Sequence, residues 1–207
     1  MDNKEKFTHI LQKYLPLPSL EPILELILKS KVVFKITKKR ATKLGDYRPP
    51  QSTQTRHQIT INNDLNPYGF LITTLHELAH LQTFEQHQST KKPHGQEWKQ
   101  NFKAIMNPFV SLDIFPQDVH QALQNYMNNP KASSCSDPNL LRALRKHDTN
   151  PKTSQYLEDL PFGARFKIEN GELFAKGEKQ RTRYLCQNLN NQKMYLVPKL
   201  LEVDLMP

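Results

Sequence analysis

The chain has 207 residues, of which 37% are hydrophobic and 24% are charged, so it can bury a core and lacks the composition of a disordered protein. Its 29 lysines and arginines against 20 aspartates and glutamates give a formal net charge of +9. No apolar run approaches the ~20 residues of a membrane-spanning helix, and the first residues lack the apolar stretch of a signal peptide. Two cysteines cannot build a disulfide scaffold or a four-cysteine zinc ribbon. We therefore expect a cytoplasmic protein.

The amino-terminal third predicts two short helices followed by two strands. A Leu-Pro-Leu-Pro break separates the helices, because proline cannot continue a helix. The strands are indicated by a stretch rich in β-branched residues and by a stretch that alternates polar and apolar residues. Gly45 and a pair of prolines mark a loop between them. In chain order, we expect helices at 4–14 and 19–28 and strands at 32–36 and 57–61.

The middle of the chain predicts a helical core. Asn66-Pro67 is a strong helix start, since asparagine caps a first turn and proline fits its first position. This helix should continue to about Phe84 and be followed by a polar loop. A further helix is expected from about residue 94 to 106, with an apolar stripe that includes Trp98. Pro116 should open another helix.

The carboxyl-terminal part predicts a small β unit. Residues 128–137 have the composition of a linker, and a short helix is expected at 140–146. Asn170-Gly171 between apolar alternations is a hairpin signal, and Asn190-Asn191 marks a second hairpin. This pattern favours an α+β protein with two parts. They are a helical core with a small sheet in a domain at 1–130, and a linker with a small basic β unit at 131–207.

The stretch His76-Glu77-Leu78-Ala79-His80 carries the candidate chemistry. On a helix, histidines four residues apart lie one turn apart on the same face and can bind one Zn²⁺. Glu77 lies beside them, where a carboxylate can take a proton from a zinc-activated water. A catalytic zinc keeps three protein ligands and one open position. His94 is the best candidate for the third ligand, because it lies four residues before Trp98 and should face the preceding helix.

Other interpretations of these residues stay open. The first two histidines could be packed in the core, and His94 could be a helix-start histidine bonded to backbone. Glu97, one turn after His94, could bind the metal or orient that histidine. His87 could contact substrate from its loop. Cys135 and Cys186 are expected to be reduced structural thiols.

Basic residues concentrate between positions 29 and 48, where Asp46 is the one acidic residue. A field of one sign attracts polyanions, so this cluster is a candidate for nucleic-acid contact. The alternative is a solvated strand edge and loop, where lysines block association between sheets. The candidate nucleic-acid contacts are Lys35, Lys38, Lys39, Arg40 and Lys43.

The histidine motif, the polar loop after it and the stretch His94-Gly95-Gln96-Glu97-Trp98-Lys99 resemble the SprT-like family of zincin metallopeptidases, which includes the DNA–protein crosslink protease Spartan. The stretch 43–47 and the strand around Ile59 are also similar to that family's sheet. The resemblance covers about residues 20–110. It implies a zincin-like fold for the helical core, and zinc bound by His76, His80 and His94, with Glu77 as the general base.

The resemblance and the basic charge together imply a zinc-dependent metalloendopeptidase that acts on proteins held on DNA. The alternative is a nucleic-acid-binding protein whose zinc site is structural or inactive. Many members of the family carry a four-cysteine zinc ribbon after the protease core, which this cysteine count excludes. A basic, aromatic β unit takes its place, and we favour a role in capping the core over nucleic-acid binding.

Overall fold

The computed structural model describes residues 3–40, 43–52, 54–130, 137–148 and 155–206. The chain divides into two compact units, Met1–Thr149 and Asn150–Pro207. The first unit contains helices around a small sheet and the second is a β unit, so the α+β class expected from the sequence is confirmed. No helix among the described residues is long and apolar enough to cross a membrane.

The first unit begins with two helices and then alternates strands with longer helices. The local pattern suggested a loop at Gly45 and missed a strand at residues 45–48, whereas the resemblance of residues 43–47 to the family's sheet agrees with it. The elements in chain order are α1 (Asn3–Leu11), α2 (Leu20–Lys29), β1 (Val33–Thr37), β2 (Gly45–Arg48), β3 (Gln58–Asn62), α3 (Pro67–His87), α4 (Gln96–Ser111), α5 (Gln117–Asn128) and α6 (Pro138–Arg145).

The sheet of the first unit has the strand order β1-β3-β2. Strand β3 lies in the centre, parallel to β1 and antiparallel to β2, and all five of its residues are buried. The side chain of Asn62 at its end is fully buried and donates to the carbonyl oxygens of Arg40 and Lys43. These bonds hold the chain before β2 against the sheet, which makes β2 an ordered edge strand.

Helix α3 is buried along most of its length because β2 and β3 contact it on one side and α4 packs on another. It begins as predicted: the Asn66 side chain accepts a hydrogen bond from the Gly69 amide at 2.9 Å, and Pro67 occupies the first position. The helix ends at His87, slightly beyond the expected Phe84. A helix packed on several sides needs apolar residues around its circumference, so it shows little amphipathic periodicity.

Helix α4 carries the apolar stripe expected for it. Trp98 and Phe102 are fully buried and their rings stack at 5.2 Å. The helix continues through Pro108 and ends at Ser111. The predicted end near Met106 was therefore too early, because packing by Phe109 extends the buried face past the proline.

The first unit extends past the predicted domain boundary at residue 130. Helix α6 packs against α5, and its buried Leu140 and Leu144 belong to the same core as the residues of α3 and α4. The Asn66 amide also donates to the Leu144 carbonyl and to Asp148 at 2.8 and 2.7 Å. A segment that the sequence placed with the linker is therefore part of the helical unit.

The second unit is a set of short antiparallel strands around its own core. Both predicted hairpins are present, and the last strand of the unit returns to pair with the first strand of the first hairpin. The core includes the rings of Phe166 and Phe174 and the free thiol Cys186, whereas Cys135 lies outside the described residues. The strands are β4 (Gln155–Tyr156), β5 (Arg165–Lys167), β6 (Leu173–Ala175), β7 (Lys179–Gln180), β8 (Arg183–Asn188), β9 (Met194–Pro198) and β10 (Glu202–Leu205).

One lysine anchors this second core. Lys176 is only 5% exposed, and its ammonium group donates to the carbonyl oxygens of Glu158 and Leu160. It also lies 4.1 Å from the centre of the Tyr184 ring, which is a cation–π contact. Burial lowers the pKa of Lys176, and the carbonyl oxygens and the ring compensate for its lost hydration.

Candidate metal centre

Three histidines of the first unit converge on one point. Helix α3 carries His76 and His80 on its face toward α4, and the chain reverses after α3 to bring His94 back to them. The Nε2 atom of His94 lies 3.2 Å from that of His76 and 2.8 Å from that of His80. In the described part of the chain, this is the one group of three or more potential ligands close enough to share a metal ion.

The protonation state of the three imidazoles is suited to binding a divalent cation. Burial lowers the pKa of His76 well below its ordinary value, and proximity to the other two histidines lowers it further. Burial also lowers the pKa of His80 to about 3 and reduces that of His94. Neutral imidazoles are the form that binds metals. Tetrahedral coordination at about 2.0–2.1 Å would place the nitrogens roughly 3.3 Å apart, which fits the 3.2 Å separation of His94 from His76 and requires the 2.8 Å separation from His80 to widen by roughly 0.5 Å.

Trp98 forms the floor of the centre. Its ring centre lies 4.6 Å from that of His76, 5.3 Å from that of His80 and 4.7 Å from that of His94. The residue is fully buried, as expected for a core residue. It therefore packs beneath all three imidazoles and limits the orientations that they can adopt.

Glu77 is held beside the cluster by strand β2. Its carboxylate packs against Gly45 and lies close enough to the Tyr47 amide for that group to lower its pKa. Burial raises the pKa of Glu77 to about 8, with a further increase from Asp46, against the lowering effect of the Tyr47 amide and of nearby cations. The Glu77 side chain thus sits in a poorly hydrated position where it can exchange a proton near neutral pH.

Gly45 makes room for this carboxylate. A Cβ atom at position 45 would lie 2.6 Å from Oε1 of Glu77 and 2.8 Å from Cγ2 of Thr73. Any larger residue would therefore displace the Glu77 side chain. The sequence pattern marked Gly45 as a loop residue, and its role depends on the close approach of β2 to α3, which no local signal reports.

The backbone around His94 departs from helical geometry. His94 precedes α4 and has a φ angle of 60°, and Gln88, at the end of α3, has a φ of 54°. Left-handed backbone is unfavourable for residues other than glycine and is common at functional sites. The expected proximity of His94 to the pair is observed, but a strained loop supplies it rather than the stripe of a helix.

The centre opens into a cleft of about 470 Å³ between α3, β2 and the loop that follows α3. Tyr47 lines this cleft, with its ring parallel to that of His80 and its hydroxyl 2.8 Å from Nδ1 of His57. The sequence left His57 unassigned and did not single out the Tyr47 ring. Their pairing comes from the antiparallel register of β2 and β3, which brings distant residues together.

Two other candidates lie apart from the histidine cluster. The carboxylate of Glu97 is 2.8 Å from the ammonium group of Lys91, an ion pair that spans the loop before α4. His87 is the last residue of α3 and is not among the residues that line the cleft. Metal binding through Glu97 and substrate contact through His87 therefore gain no support from the geometry.

The five basic candidates for nucleic-acid contact separate into two groups. Lys35, Lys38 and Lys39 are exposed, on β1 and in the segment after it. Arg40 is partly buried and donates to the side chains of Asn62 and Thr60 at 2.8 and 2.9 Å. The partly buried Lys43 bonds to Asp46 at 2.7 Å. The last two cations have partners within the fold, on the side of the sheet nearest Glu77.

A helix with a His-Glu-x-x-His motif, a third histidine from the chain that follows and a buried carboxylate define a zincin-like, metallopeptidase-type domain. Residues 21–121 match the family model of the SprT-like family. This part of the chain therefore belongs to the SprT-like family, as the sequence motifs indicated. No curated protein and no solved structure gives a significant match to the chain.

Proposed function

We propose that this protein is a zinc-dependent metalloendopeptidase. The observation that carries the proposal is the position of the Glu77 carboxylate, which packs against Gly45 and lines the same cleft as three neutral, convergent imidazoles. A structural metal site is closed by its ligands and does not need an adjacent carboxylate. Zinc, when bound, supplies a Lewis acid for a carbonyl oxygen and lowers the pKa of water.

The roles of the protein residues follow from this arrangement. His76, His80 and His94 would hold the ion. Glu77 would accept a proton from the attacking water at its carboxylate and deliver it to the nitrogen of the departing amine. Burial raises the pKa of Glu77 and a bound cation would lower it again, so the carboxylate that accepts the proton is accessible and the acid that it forms can donate it.

The edge of β2 favours an extended peptide as substrate. Among the described strands, β2 pairs with β3 alone, so its outer edge lies free beside the cleft. Three residues of β2, Gly45, Asp46 and Tyr47, line the cleft itself. A peptide in the cleft could therefore add to the sheet as a further strand, with main-chain hydrogen bonds that do not depend on its sequence.

The decisive experiment compares Glu77→Gln with Glu97→Gln in zinc-loaded protein. Both variants make the same chemical change, but Glu97 pairs with Lys91 outside the histidine cluster. We expect both to keep one zinc per chain by elemental analysis. Cleavage of an unfolded protein substrate should fall by at least about 100-fold in Glu77→Gln, the scale of a lost general base, and change little in Glu97→Gln.

The alternative function, a nucleic-acid-binding protein with a structural or inactive zinc site, predicts another result. Wild-type protein with one zinc per chain would then cleave no substrate, and Glu77→Gln would bind DNA as well as wild type does. Loss of zinc in His94→Ala would be expected under both functions. That variant therefore tests the metal site, and the comparison of Glu77→Gln with Glu97→Gln tests the reaction.

We further propose that the substrates include proteins held on DNA. The exposed Lys35 and Lys38 and the formal net charge of +9 support attraction to phosphate. Lys35→Glu with Lys38→Glu should weaken DNA binding and reduce its salt dependence, whereas the equal charge change at the exposed Lys13 and Lys193 should matter less. Equal cleavage of a DNA-binding protein in the presence and in the absence of DNA would exclude DNA as an activator.

A further inference from the structure

A buried polar bridge joins the two helices next to the candidate metal centre. The side-chain amide of Asn101 on α4 donates to Oγ1 of Thr83 and to Oε1 of Gln86 on α3, both at 2.9 Å. The hydroxyl of Thr83 in turn donates to the Ala79 carbonyl at 2.7 Å. Asn101 and Thr83 are 9% and 8% exposed, so the bond between them is shielded from water, whereas the bond to the exposed Gln86 is only partly buried. We call Asn101, Thr83 and Gln86 the interhelix bridge.

The bridge lies on the same faces of α3 and α4 as the histidine cluster. Thr83 follows His80 by three residues, and Asn101 follows Trp98 by three residues, so each lies one turn beyond a residue of the centre. Thr83 also lines the cleft. The two helices are therefore joined at a second point, one turn along each helix from the metal centre.

The bridge also closes the base of the loop that returns His94. That loop begins at Gln88 and ends at His94, both of which have left-handed backbone. Such geometry persists only where the surrounding structure holds it in place. The bridge contributes two bonds from α4 to the last turns of α3, and these bonds resist separation of the helices that the strained loop connects.

We propose that Asn101 is a positioning residue that holds His94 against His76 and His80 before metal binds. The inference rests on the metal site of the proposed function but not on its peptidase activity. A bridge of this kind reduces the reorganisation required of the three imidazoles when they take up an ion. Its loss should therefore weaken zinc binding even though Asn101 contacts none of the three histidine rings through a described bond.

The test measures zinc affinity by competition with a chromophoric chelator. Asn101→Leu removes both donated bonds at similar side-chain volume and should raise the zinc dissociation constant by at least about 10-fold, the scale found when groups that orient metal ligands are removed. The matched control is Met106→Ala, another fully buried position of α4, farther from the centre. It should reduce stability but leave the zinc dissociation constant within about 3-fold of wild type.

A second variant tests the same bridge if Asn101→Leu does not fold. Thr83→Val keeps the shape of the side chain, removes one acceptor and should weaken zinc binding in the same direction. The double variant with Asn101→Leu should lose less than the sum of the two effects, because they share a bond. Wild-type zinc affinity in a folded Asn101→Leu, or equal losses in Asn101→Leu and Met106→Ala, would overturn the proposal. Failure to cleave peptides by zinc-loaded wild type would contradict the proposed function alone.

Discussion

At the scale of single residues, the position of Glu77 depends on the absence of a side chain at Gly45. The carboxylate occupies the volume where a Cβ at residue 45 would lie, 2.6 Å from Oε1. The helix by itself would let Glu77 adopt several rotamers, and the close approach of Gly45 on β2 limits that freedom. The general base of the proposed reaction is therefore placed by a strand that carries no metal ligand.

Gly45→Ala should consequently impair the reaction without removing the metal. We expect kcat to fall by about 100-fold, because displacement by an ångström at a reacting group costs that much, while zinc content is unchanged. The control is Gly69→Ala in α3, where a Cβ would meet Asn66 at an ordinary 3.5 Å. That control should be neutral or stabilising by about 0.5–1 kcal/mol. Normal kcat in Gly45→Ala would show that Glu77 tolerates displacement.

The ionisation of Asp46 should make the stability of the first unit depend on pH. Burial alone would raise the pKa of Asp46, but hydrogen bonds from Lys43 and Arg48, both 2.7 Å long, lower it below its ordinary value. A carboxyl group with a depressed folded-state pKa stabilises the fold above its unfolded-state pKa and loses that contribution as the pH falls through the folded-state pKa. Asp46→Asn should therefore reduce the free energy of unfolding at pH 7, by about 1 kcal/mol.

The difference between Asp46→Asn and wild type should shrink toward zero as the pH falls through the folded-state pKa of Asp46. Urea titrations followed by Trp98 fluorescence would measure it, since the single tryptophan of the chain lies in the first unit. Removal of zinc beforehand would keep histidine ligation from contributing to the same pH range. A difference that persists undiminished at low pH would exclude ionisation of Asp46 as its source.

At the scale of elements, the candidate centre belongs to the interface of α3 and α4 rather than to one helix. Helix α3 supplies two imidazoles through its own periodicity, while the third depends on the loop between the helices. Trp98 contacts all three rings, so the environment of one indole reports on the arrangement of the entire cluster. The fluorescence of Trp98 therefore reports on how the two helices pack around the cluster.

Tryptophan fluorescence should accordingly respond to metal binding at this interface. We expect Co²⁺, whose partly filled d shell accepts excitation energy, to quench Trp98 strongly, and Zn²⁺, with its filled shell, to quench it less. Excess Zn²⁺ should reverse the Co²⁺ effect by competition. His80→Ala should lose both responses in a fluorescence titration. Binding of Co²⁺ in equilibrium dialysis without any change in fluorescence would place the metal elsewhere.

At the scale of the whole molecule, the chain contains two hydrophobic cores with no residue in common. The first surrounds α3 and includes residues from α1 to α6, and the second lies among the strands after residue 155. The three histidines, Glu77 and the residues that line the cleft all belong to the first unit. The proposed reaction therefore needs no group from the second unit.

A chain that ends at residue 149 should fold and keep the metal centre. We expect one zinc per chain and a kcat on short peptides within about 3-fold of the full chain, because no lining residue is removed. Cleavage of a DNA-bound protein by the same truncated chain would show whether the second unit contributes to that substrate. Loss of zinc by the truncated chain would show that the two units depend on each other to fold.

Local sequence patterns determined a large part of this structure. Helix α3 could be predicted from Asn66-Pro67, since a cap and a first-turn proline act within a few residues. The location of His76 and His80 on the same face of α3 follows from the 3.6-residue helical repeat alone. The family motifs and the two carboxyl-terminal hairpins rest on equally short spacings. These features were accessible because each is decided by neighbours along the chain.

Tertiary structure decided how these pieces meet. The left-handed backbone at His94, the carboxylate pocket at Gly45 and the interhelix bridge at Asn101 each depend on segments brought together by packing. The extension of the first unit through α6 likewise depends on its apolar face finding α5. Periodicity shows which face of an element is apolar but not which other element will cover it. The sequence therefore determined the candidate ligands, and long-range packing determined the geometry in which they can bind a metal.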